Sequence, residues 1–297
     1  MISALNRQLV DASYALWSRP DADLAELRSG YDTMCPPTRA KVRASPHQLG
    51  GVPGQLIVPD DARDGLILFL HGGGFVMGSA RSHFSMAADL AEAAACPLFL
   101  ADYRLAPEAM FPAALDDSCA IYRALIDVGW PSDRIAIVGD SAGGGLALST
   151  VLELRQRGLP DPACIVTMSA WTDLSCSSDS LSAKADVDPI LTAAVPREYA
   201  SIYLGSHPVD DPRASALFGD FRDFPPLLMQ VGSDEILLDD TLRIAERVEQ
   251  AGGEVRLEVA EGMMHVFQML TWLIPEASAA LQRAGGFITE RLEAAAT

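Results

Sequence analysis

One pentapeptide in the chain has the residue types and spacing of nucleophilic chemistry. Residues 139–143 have the sequence Gly-Asp-Ser-Ala-Gly, between the β-branched run 134–138 and an Ala/Leu-rich helical pattern over 145–154. A strand that turns sharply into a helix at Ser141 has a crowded and strained backbone, so the flanking positions need little or no side chain. Such a turn would hold the Ser141 hydroxyl at the sheet edge, above the free N–H groups of the helix N-terminus. The pattern therefore predicts a serine nucleophile.

A serine nucleophile needs a base, and the chain has five histidines. His265 follows the eighth predicted strand, which places it on a loop at the same sheet edge as Ser141. Of the other four, His47 precedes the early strands and His83 begins a helix. His71 belongs to a glycine loop, and His207 lies in a long connecting segment. We therefore expect His265 to be the base.

The acid that orients this base should lie between the serine and the histidine in the chain. Asp234 lies in the turn after the seventh predicted strand, and the geometry of that turn favours it. Glu235 competes with it from the next position. Asp239 and Asp240 are also candidates, although both are typical of the first turn of the following helix. Asp234 is the preferred acid.

Three consecutive glycines follow His71, directly after the third predicted strand. Glycines have no packing value and lose much conformational entropy when they are ordered, so a run of three is unusual without a use for the bare backbone. Their N–H groups could approach an oxyanion, together with the N–H of Ala142. We expect His71 to anchor this loop by hydrogen bonds.

Strand-like runs alternate with helical patterns along most of the chain. The runs lie at 41–45, 55–58, 66–70, 97–101, 134–138, 163–168, 226–231 and 254–259. The helical patterns lie at 81–95, 112–128, 145–157, 239–251 and 275–294. This alternation predicts an α/β fold, with an eight-stranded, mostly parallel sheet that helices cover on both faces.

Two segments break the alternation. The N-terminal region is amphipathic to about Pro37, and its apolar positions are Leu9, Trp17, Leu24, Leu27 and Tyr31. Residues 176–225 are too long for a bare loop. We expect 1–40 and 176–225 to form a helical cap over the sheet edge that carries the site, and 41–175 with 226–297 to form the catalytic domain. Apolar residues that could line a substrate pocket there are Phe75, Trp171 and Tyr199.

Composition narrows the choice of partners. The chain has 297 residues and a net charge of −18, which disfavours nucleic acid and anionic membrane surfaces. It has neither an apolar run of eighteen residues nor an N-terminal basic stretch followed by an apolar one, so we expect a cytoplasmic protein without membrane insertion. Its five cysteines are scattered, which disfavours a disulfide framework or a thiolate metal site.

Taken together, these motifs resemble the hormone-sensitive-lipase family of α/β-hydrolases, also called bacterial esterase family IV. The resemblance extends from about Leu66 to the C-terminus, and its segments are 71–75, 102–108, 139–144, 232–237 and 264–267. The stretch 215–231 also resembles bacterial acetyl-hydrolases and monoterpene ε-lactone hydrolases.

The resemblance implies an α/β-hydrolase fold and a role for each matched residue. Ser141 would be the nucleophile, His265 the base and Asp234 its orienting acid. The oxyanion hole would consist of the N–H groups of Gly73, Gly74 and Ala142. Within the segment 103–108, which would be structural, Arg104 and Glu108 would pair with each other.

The implied activity is hydrolysis of small-molecule esters with short to medium acyl chains, through an acyl-enzyme and with no metal or organic cofactor. Members of this family often form dimers, so a homodimer is compatible with the sequence. A lactone hydrolase or an amidase could use the same three residues. A non-catalytic receptor, as the plant gibberellin receptors are on this fold, is disfavoured because those receptors lack the histidine that is present here as His265.

Overall fold

A computed structural model describes residues 23–33, 35–36 and 38–294 of the chain. Its centre is one eight-stranded sheet with the order β1-β2-β4-β3-β5-β6-β7-β8. The strands are β1 Val42–Leu49, β2 Val52–Pro59, β3 Leu66–Leu70, β4 Leu98–Ala101, β5 Ile135–Asp140, β6 Cys164–Met168, β7 Leu227–Gly232 and β8 Val255–Ala260. Strand β2 pairs antiparallel with β1 and β4, and all other neighbours are parallel. The predicted fold class is confirmed.

The α-helices of the described residues are α1 Leu24–Thr33, α2 Phe84–Ala94, α3 Ala113–Asp127, α4 Ser141–Gln156, α5 Ser180–Ala183, α6 Ala194–Leu204, α7 Leu238–Gln250 and α8 Pro275–Ala294. Short 3₁₀ turns occupy Ser132–Arg134, Ala216–Phe218 and Phe267–Leu270. Helices α2 and α8 pack against each other, as do α3 and α4. No helix within the described ranges is both long and apolar enough to cross a membrane.

The first two strands are longer than predicted. They form a hairpin whose last pair is Leu49 with Val52, so the turn is only Gly50 and Gly51. Both glycines have positive φ, +58° and +84°, which a tight two-residue hairpin turn requires. Strand β2 begins at Val52 and not at 55 as expected, because Pro53 and Gly54 are residues that strand interiors usually avoid.

The register of the parallel strands brings the predicted site residues to one edge of the sheet. Leu70 at the end of β3 pairs with Gly139 of β5, and Asp140 pairs with Met168 at the end of β6. Further along the same sheet, Gly232 at the end of β7 pairs with Ala260 at the end of β8. The loops after these five strands therefore leave the sheet side by side.

Arg28 attaches the N-terminal helix α1 to the sheet domain through four hydrogen bonds. Arg28 makes two hydrogen bonds of 2.8 Å with the carboxylate of Glu108, and it donates to the carbonyl oxygens of Val76 at 2.7 Å and Ala106 at 2.9 Å. Arg104 instead pairs with Asp117 at 2.7 Å. The expected pairing of Arg104 with Glu108 is therefore wrong. Leu9 and Trp17, from the amphipathic N-terminal pattern, lie outside the described residues.

Candidate active site

Ser141 is the first residue of α4 and has a φ of +50°, in the left-handed region. The glycines around it allow this turn. A Cβ atom on Gly139 would lie 2.2 Å from the carbonyl oxygen of Gly143, and one on Gly143 would lie 2.0 Å from the carbonyl oxygen of Leu70. Both distances are impossible for a real side chain next to rigid backbone. The G-x-S-x-G spacing is thus a packing requirement of the strand–helix turn.

His265 lies on the loop after β8, and its Nε2 atom is 3.0 Å from the Oγ atom of Ser141. Its side chain is only 7% exposed. The backbone of this loop is bound to the loop after β7, since the N–H of Asp234 donates to the carbonyl oxygen of Met263 at 2.9 Å. The structure therefore brings together the predicted nucleophile and base in hydrogen-bonding contact.

The carboxylate next to His265 belongs to Glu235, whose Oε1 atom is 3.2 Å from His265 Nδ1. Its Oε2 atom accepts hydrogen bonds from the N–H of Gly232 at 2.9 Å and from Ser169 Oγ at 2.8 Å. Glu235 is fully buried. All of its contacts lie between the loops after β6, β7 and β8.

The structure does not bring the predicted acid, Asp234, to His265. The Oδ1 atom of Asp234 accepts a hydrogen bond from Ser233 Oγ at 3.1 Å, and the residue is half-buried. Because the Asp234 backbone is bound to Met263, the turn directs its side chain away from the histidine and that of Glu235 towards it. Asp239 and Asp240 lie in the first turn of α7, as expected.

Burial and charge act in opposite directions on the pKa of His265. Burial lowers it, but the hydrogen bond from His265 to Glu235 and the negative charges of Glu235, Asp188 and Asp140 outweigh burial and raise the pKa above its ordinary value. Asp188 comes from the segment before α6, and its carboxylate also accepts the N–H of Ile236 at 2.9 Å. The imidazole is thus surrounded by groups that favour its protonated form.

The glycine loop after β3 lies beside Ser141, at the wall of a cavity that both share. Gly73 and Gly74 have φ values of +113° and +63°. The carbonyl oxygen of Gly73 accepts the N–H groups of Val76 and Met77, whereas within the described part of the chain no acceptor meets the N–H of Gly73 or Gly74. Ala142 lies in the first turn of α4, where N–H groups have no partner within the helix. Gly73 and Gly74 line the cavity beside Ser141, and Ala142 follows Ser141 directly in the chain.

His71 anchors the glycine loop, as expected. Its Nδ1 atom is 2.8 Å from the carbonyl oxygen of Gly72, and its ring stacks on that of Tyr103 with centroids 4.3 Å apart. The Tyr103 hydroxyl donates to the His71 carbonyl oxygen at 2.6 Å. Full burial, with a smaller contribution from His83, lowers the pKa of His71 to about 3. His71 is therefore neutral and part of the scaffold.

A chain of buried polar groups lies behind Ser141, and of its members only Asp140 belongs to the serine motif. The Oδ1 atom of Asp140 accepts the N–H of Gly72 at 3.0 Å, and its Oδ2 atom is 3.3 Å from His83 Nε2. The same His83 nitrogen is 3.4 Å from the hydroxyl of Tyr31, on helix α1. Asp140 thus links the serine turn to the glycine loop.

The cavity above Ser141 is narrow and mostly apolar. Its volume is about 50 Å³. Besides Ser141, His265 and the two loop glycines, its walls are Tyr31, Trp171, Ile190, Leu191, Val195, Pro196, Tyr199, Leu237, Val266 and Met269. Of the described residues that line the cavity, His265 is the one whose side chain can carry a charge near neutral pH.

Two of the three predicted pocket residues line this cavity, namely Trp171 and Tyr199. Phe75 does not. Its backbone has a φ of +64°, and its ring is buried and stacks on Tyr203 with centroids 3.9 Å apart. The turn that follows the glycine loop therefore returns Phe75 to the core, beneath helix α6. Tyr199 instead lies against the loop itself, since a Cβ atom on Gly74 would lie 2.2 Å from its ring.

Comparison with known proteins identifies the family of this chain. A family model described as alpha/beta hydrolase fold matches residues 67–269. An acetyl-hydrolase of Streptomyces hygroscopicus is 38% identical over 75% of this chain and 74% of its own length. An esterase of Acinetobacter venetianus is 37% identical over 89% of this chain and 88% of its own length. The crystal structure of an esterase from the bacterial hormone-sensitive lipase family has a TM-score of 0.95 at 37% identity, over 98% of this chain and 100% of that one.

The chain therefore belongs to the α/β-hydrolase family. Within it, the close structural match makes the chain a member of the hormone-sensitive lipase family of bacterial esterases, which confirms the resemblance of its motifs. The eight-stranded, mostly parallel sheet agrees with this membership.

Proposed function

We propose that this protein is a serine carboxylesterase in which Ser141, His265 and Glu235 form the catalytic triad. The observation that carries the proposal is the continuous contact from Ser141 Oγ to His265 Nε2, at 3.0 Å, and from His265 Nδ1 to Glu235 Oε1, at 3.2 Å. A hydroxyl, an imidazole and a buried carboxylate in this order are the requirements for general-base activation of a serine.

In the first step, His265 takes the Ser141 proton as the serine oxygen attacks the ester carbonyl carbon. The carbonyl oxygen becomes an oxyanion, and the N–H groups of Gly73, Gly74 and Ala142 stabilise it. The tetrahedral intermediate collapses, the alcohol leaves with the proton from His265, and the acyl group stays on Ser141.

In the second step, His265 takes a proton from water, and the water oxygen attacks the acyl-enzyme. Collapse of the new intermediate releases the carboxylic acid and returns the proton to Ser141. Throughout both steps Glu235 stabilises the imidazolium form of His265 and keeps its Nε2 directed at the serine. None of these steps needs a group beyond the residues of this chain and water.

The cavity supports an uncharged ester with a short to medium acyl chain as substrate. Its walls are apolar, and a charged acyl or alcohol group would lose its hydration there without a counter-ion. The small volume limits the acyl chain that fits without movement of the wall. We include in the proposal a cap over this cavity, formed by residues 1–40 and 176–225, above a catalytic domain of 41–175 and 226–297. Tyr31 and Tyr199 support it, because they bring one described segment of each part to the cavity.

A homodimer and a cytoplasmic location complete the proposal. Strand β8 lies at the edge of the sheet, where β7 is its one partner among the described residues. Its Leu257 and Val259 are 39% and 45% exposed, which supports association through this edge. The unpaired state of all five cysteines supports a compartment that keeps thiols reduced. Light scattering of the purified protein and fractionation of the source cells would test these two statements.

The decisive test is hydrolysis of p-nitrophenyl acetate by Ser141→Ala. We expect the kcat to fall by at least about 10⁴-fold, because the nucleophile is lost. Ser149→Ala is the matched control, since Ser149 is buried on the same helix and donates to the carbonyl oxygen of Pro212 at 3.3 Å, outside the site. Unchanged turnover by Ser141→Ala would refute the assignment. A p-nitrophenyl series from acetate to laurate, run beside several lactones, would test the substrate class.

A further inference from the structure

Ser169 is a buried serine at the end of β6 that the proposed reaction does not use. It is completely buried, and its φ of +51° lies in the left-handed region that residues other than glycine rarely adopt. Its N–H donates to the carbonyl oxygen of Gln230, on β7, at 2.7 Å. The fold thus holds Ser169 in an unfavourable backbone conformation beside β7.

The Ser169 hydroxyl contacts both the side chain that binds His265 and the backbone next to His265. It donates to the Oε2 atom of Glu235 at 2.8 Å and accepts the N–H of Val266, the residue after His265, at 3.0 Å. A single oxygen atom therefore joins the carboxylate of the proposed acid to the backbone next to the proposed base. Val266 itself has a φ of +46°, so this backbone turns sharply where the hydroxyl binds it.

The carboxylate of Glu235 depends on this contact for its orientation. The terminal torsion of a glutamate is broad, so hydrogen bonds must select one rotation of the carboxylate. Oε1 faces His265, and the two donors to Oε2 are Ser169 and the N–H of Gly232. Without the Ser169 hydroxyl, one donor would remain, and the buried oxygen would lose a partner that neutralises part of its charge.

We propose that Ser169 is a positioning residue that fixes the Glu235 carboxylate against His265. The inference rests on the proposed triad. Ser169 is not part of the cavity wall, so it acts on the rate of the chemical steps and leaves substrate binding unchanged. Small displacements of catalytic groups lower rates strongly, because the reacting geometry is lost for part of the time.

The test compares Ser169→Ala with Ser233→Ala. The Ser233 hydroxyl accepts the N–H of Gly262 at 2.7 Å and donates to Asp234, so it also connects the loops after β7 and β8, without touching Glu235 or His265. We expect Ser169→Ala to lower kcat on p-nitrophenyl butyrate by roughly 10- to 100-fold with KM within about two-fold of wild type. Ser233→Ala should keep kcat within about two-fold. Equal losses in the two variants would overturn the proposal.

A double-mutant cycle with Glu235→Ala identifies the route of the effect. If Ser169 acts through the carboxylate, Ser169→Ala lowers kcat by no more than about three-fold when Glu235 is already absent. Ser169→Gly provides a second variant without the hydroxyl, and glycine adopts the φ of +51° without strain. Thermal melting checks that each variant is folded.

The outcomes separate the two proposals. A full additional loss in the Glu235→Ala background, with Glu235→Ala itself strongly impaired, would overturn the role of Ser169 and leave the triad intact. Wild-type turnover by Glu235→Ala would overturn the triad, and the role of Ser169 with it.

Discussion

His265 Nδ1 lies 3.2 Å from the carboxylate of Glu235, whereas the carboxylate of Asp234, one residue earlier, accepts a hydrogen bond from Ser233 and is half-buried. Two adjacent acids in one turn therefore have different surroundings. Only the buried one can stabilise an imidazolium without competition from water.

This difference predicts a large loss of activity for one conservative substitution and almost no loss for another. Glu235→Gln should lower kcat/KM on p-nitrophenyl butyrate by about 10³- to 10⁴-fold, because the neutral amide no longer stabilises protonated His265 and no longer fixes its tautomer. Asp234→Asn keeps an acceptor for Ser233 and should stay within about three-fold of wild type. If Asp234→Asn lowered kcat/KM more than Glu235→Gln does, Asp234 would be the acid of the triad.

The midpoint of the acid limb of the pH–rate profile should lie above pH 6.5, the ordinary pKa of histidine. Since the pKa of His265 is raised, a fall in pH protonates it early, and protonated His265 cannot accept the proton of Ser141. We therefore expect kcat/KM to decline with falling pH while the pH is still above 6.5. A limb below that value would contradict the balance of burial and charge around the imidazole.

Asp188→Asn tests the source of this shift. The charged groups that face His265 are Glu235 from the loop after β7, Asp188 from the segment before α6 and Asp140 from the end of β5. Asparagine at position 188 keeps one oxygen acceptor, for the N–H groups of Ile190 and Leu191. It removes one negative charge together with the oxygen that accepts the N–H of Ile236. The acid limb should move to lower pH. Asp186→Asn, at an exposed position of the same segment, is the control and should leave the limb in place.

Long apolar runs predicted the centre of the fold closely. The third strand was expected at 66–70 and is Leu66–Leu70, because a parallel strand covered on both faces is a continuous apolar run. Ser141 and His265 could be assigned for a related reason. Each follows a strand whose carboxyl end lies at the same edge of the sheet, so counting strands is enough to bring them together.

Two kinds of feature could not be predicted from the sequence. One is the direction of a side chain within a turn, and the other is contact between residues that are far apart in the chain. Strand counting finds the turn that holds the acid, but the choice between Asp234 and Glu235 depends on how that turn docks on Met263. Glu108 pairs with Arg28, 80 positions away in the chain, so local spacing gave no sign of it. Ser169 belongs to no motif, and only the assembled loops give its hydroxyl two partners.

Two glycines should respond in opposite ways to alanine. At Gly143 a Cβ atom would lie 2.0 Å from the carbonyl oxygen of Leu70, and strand backbone cannot move away, so Gly143→Ala should destabilise the protein by about 3 kcal/mol or more. At Gly286, exposed on α8, a Cβ atom has no atom within 4 Å, and Gly286→Ala should stabilise by about 0.5–1 kcal/mol. Urea denaturation of both variants measures the two values. A Gly143→Ala protein as stable as wild type would contradict the packing at the serine turn.

Helix α6 should control acyl-chain length through one of its two tyrosines. Tyr199 lines the cavity and lies against Gly74, whereas Tyr203, one turn later, is buried and stacks on Phe75 outside the cavity wall. Tyr199→Leu enlarges the cavity, so the ratio of kcat/KM for p-nitrophenyl octanoate to that for acetate should rise at least about five-fold. Tyr203→Leu removes a core ring and should lower the melting temperature with the ratio unchanged. If both substitutions changed the ratio equally, chain-length preference would depend on the packing of the whole helix and not on the wall that Tyr199 forms.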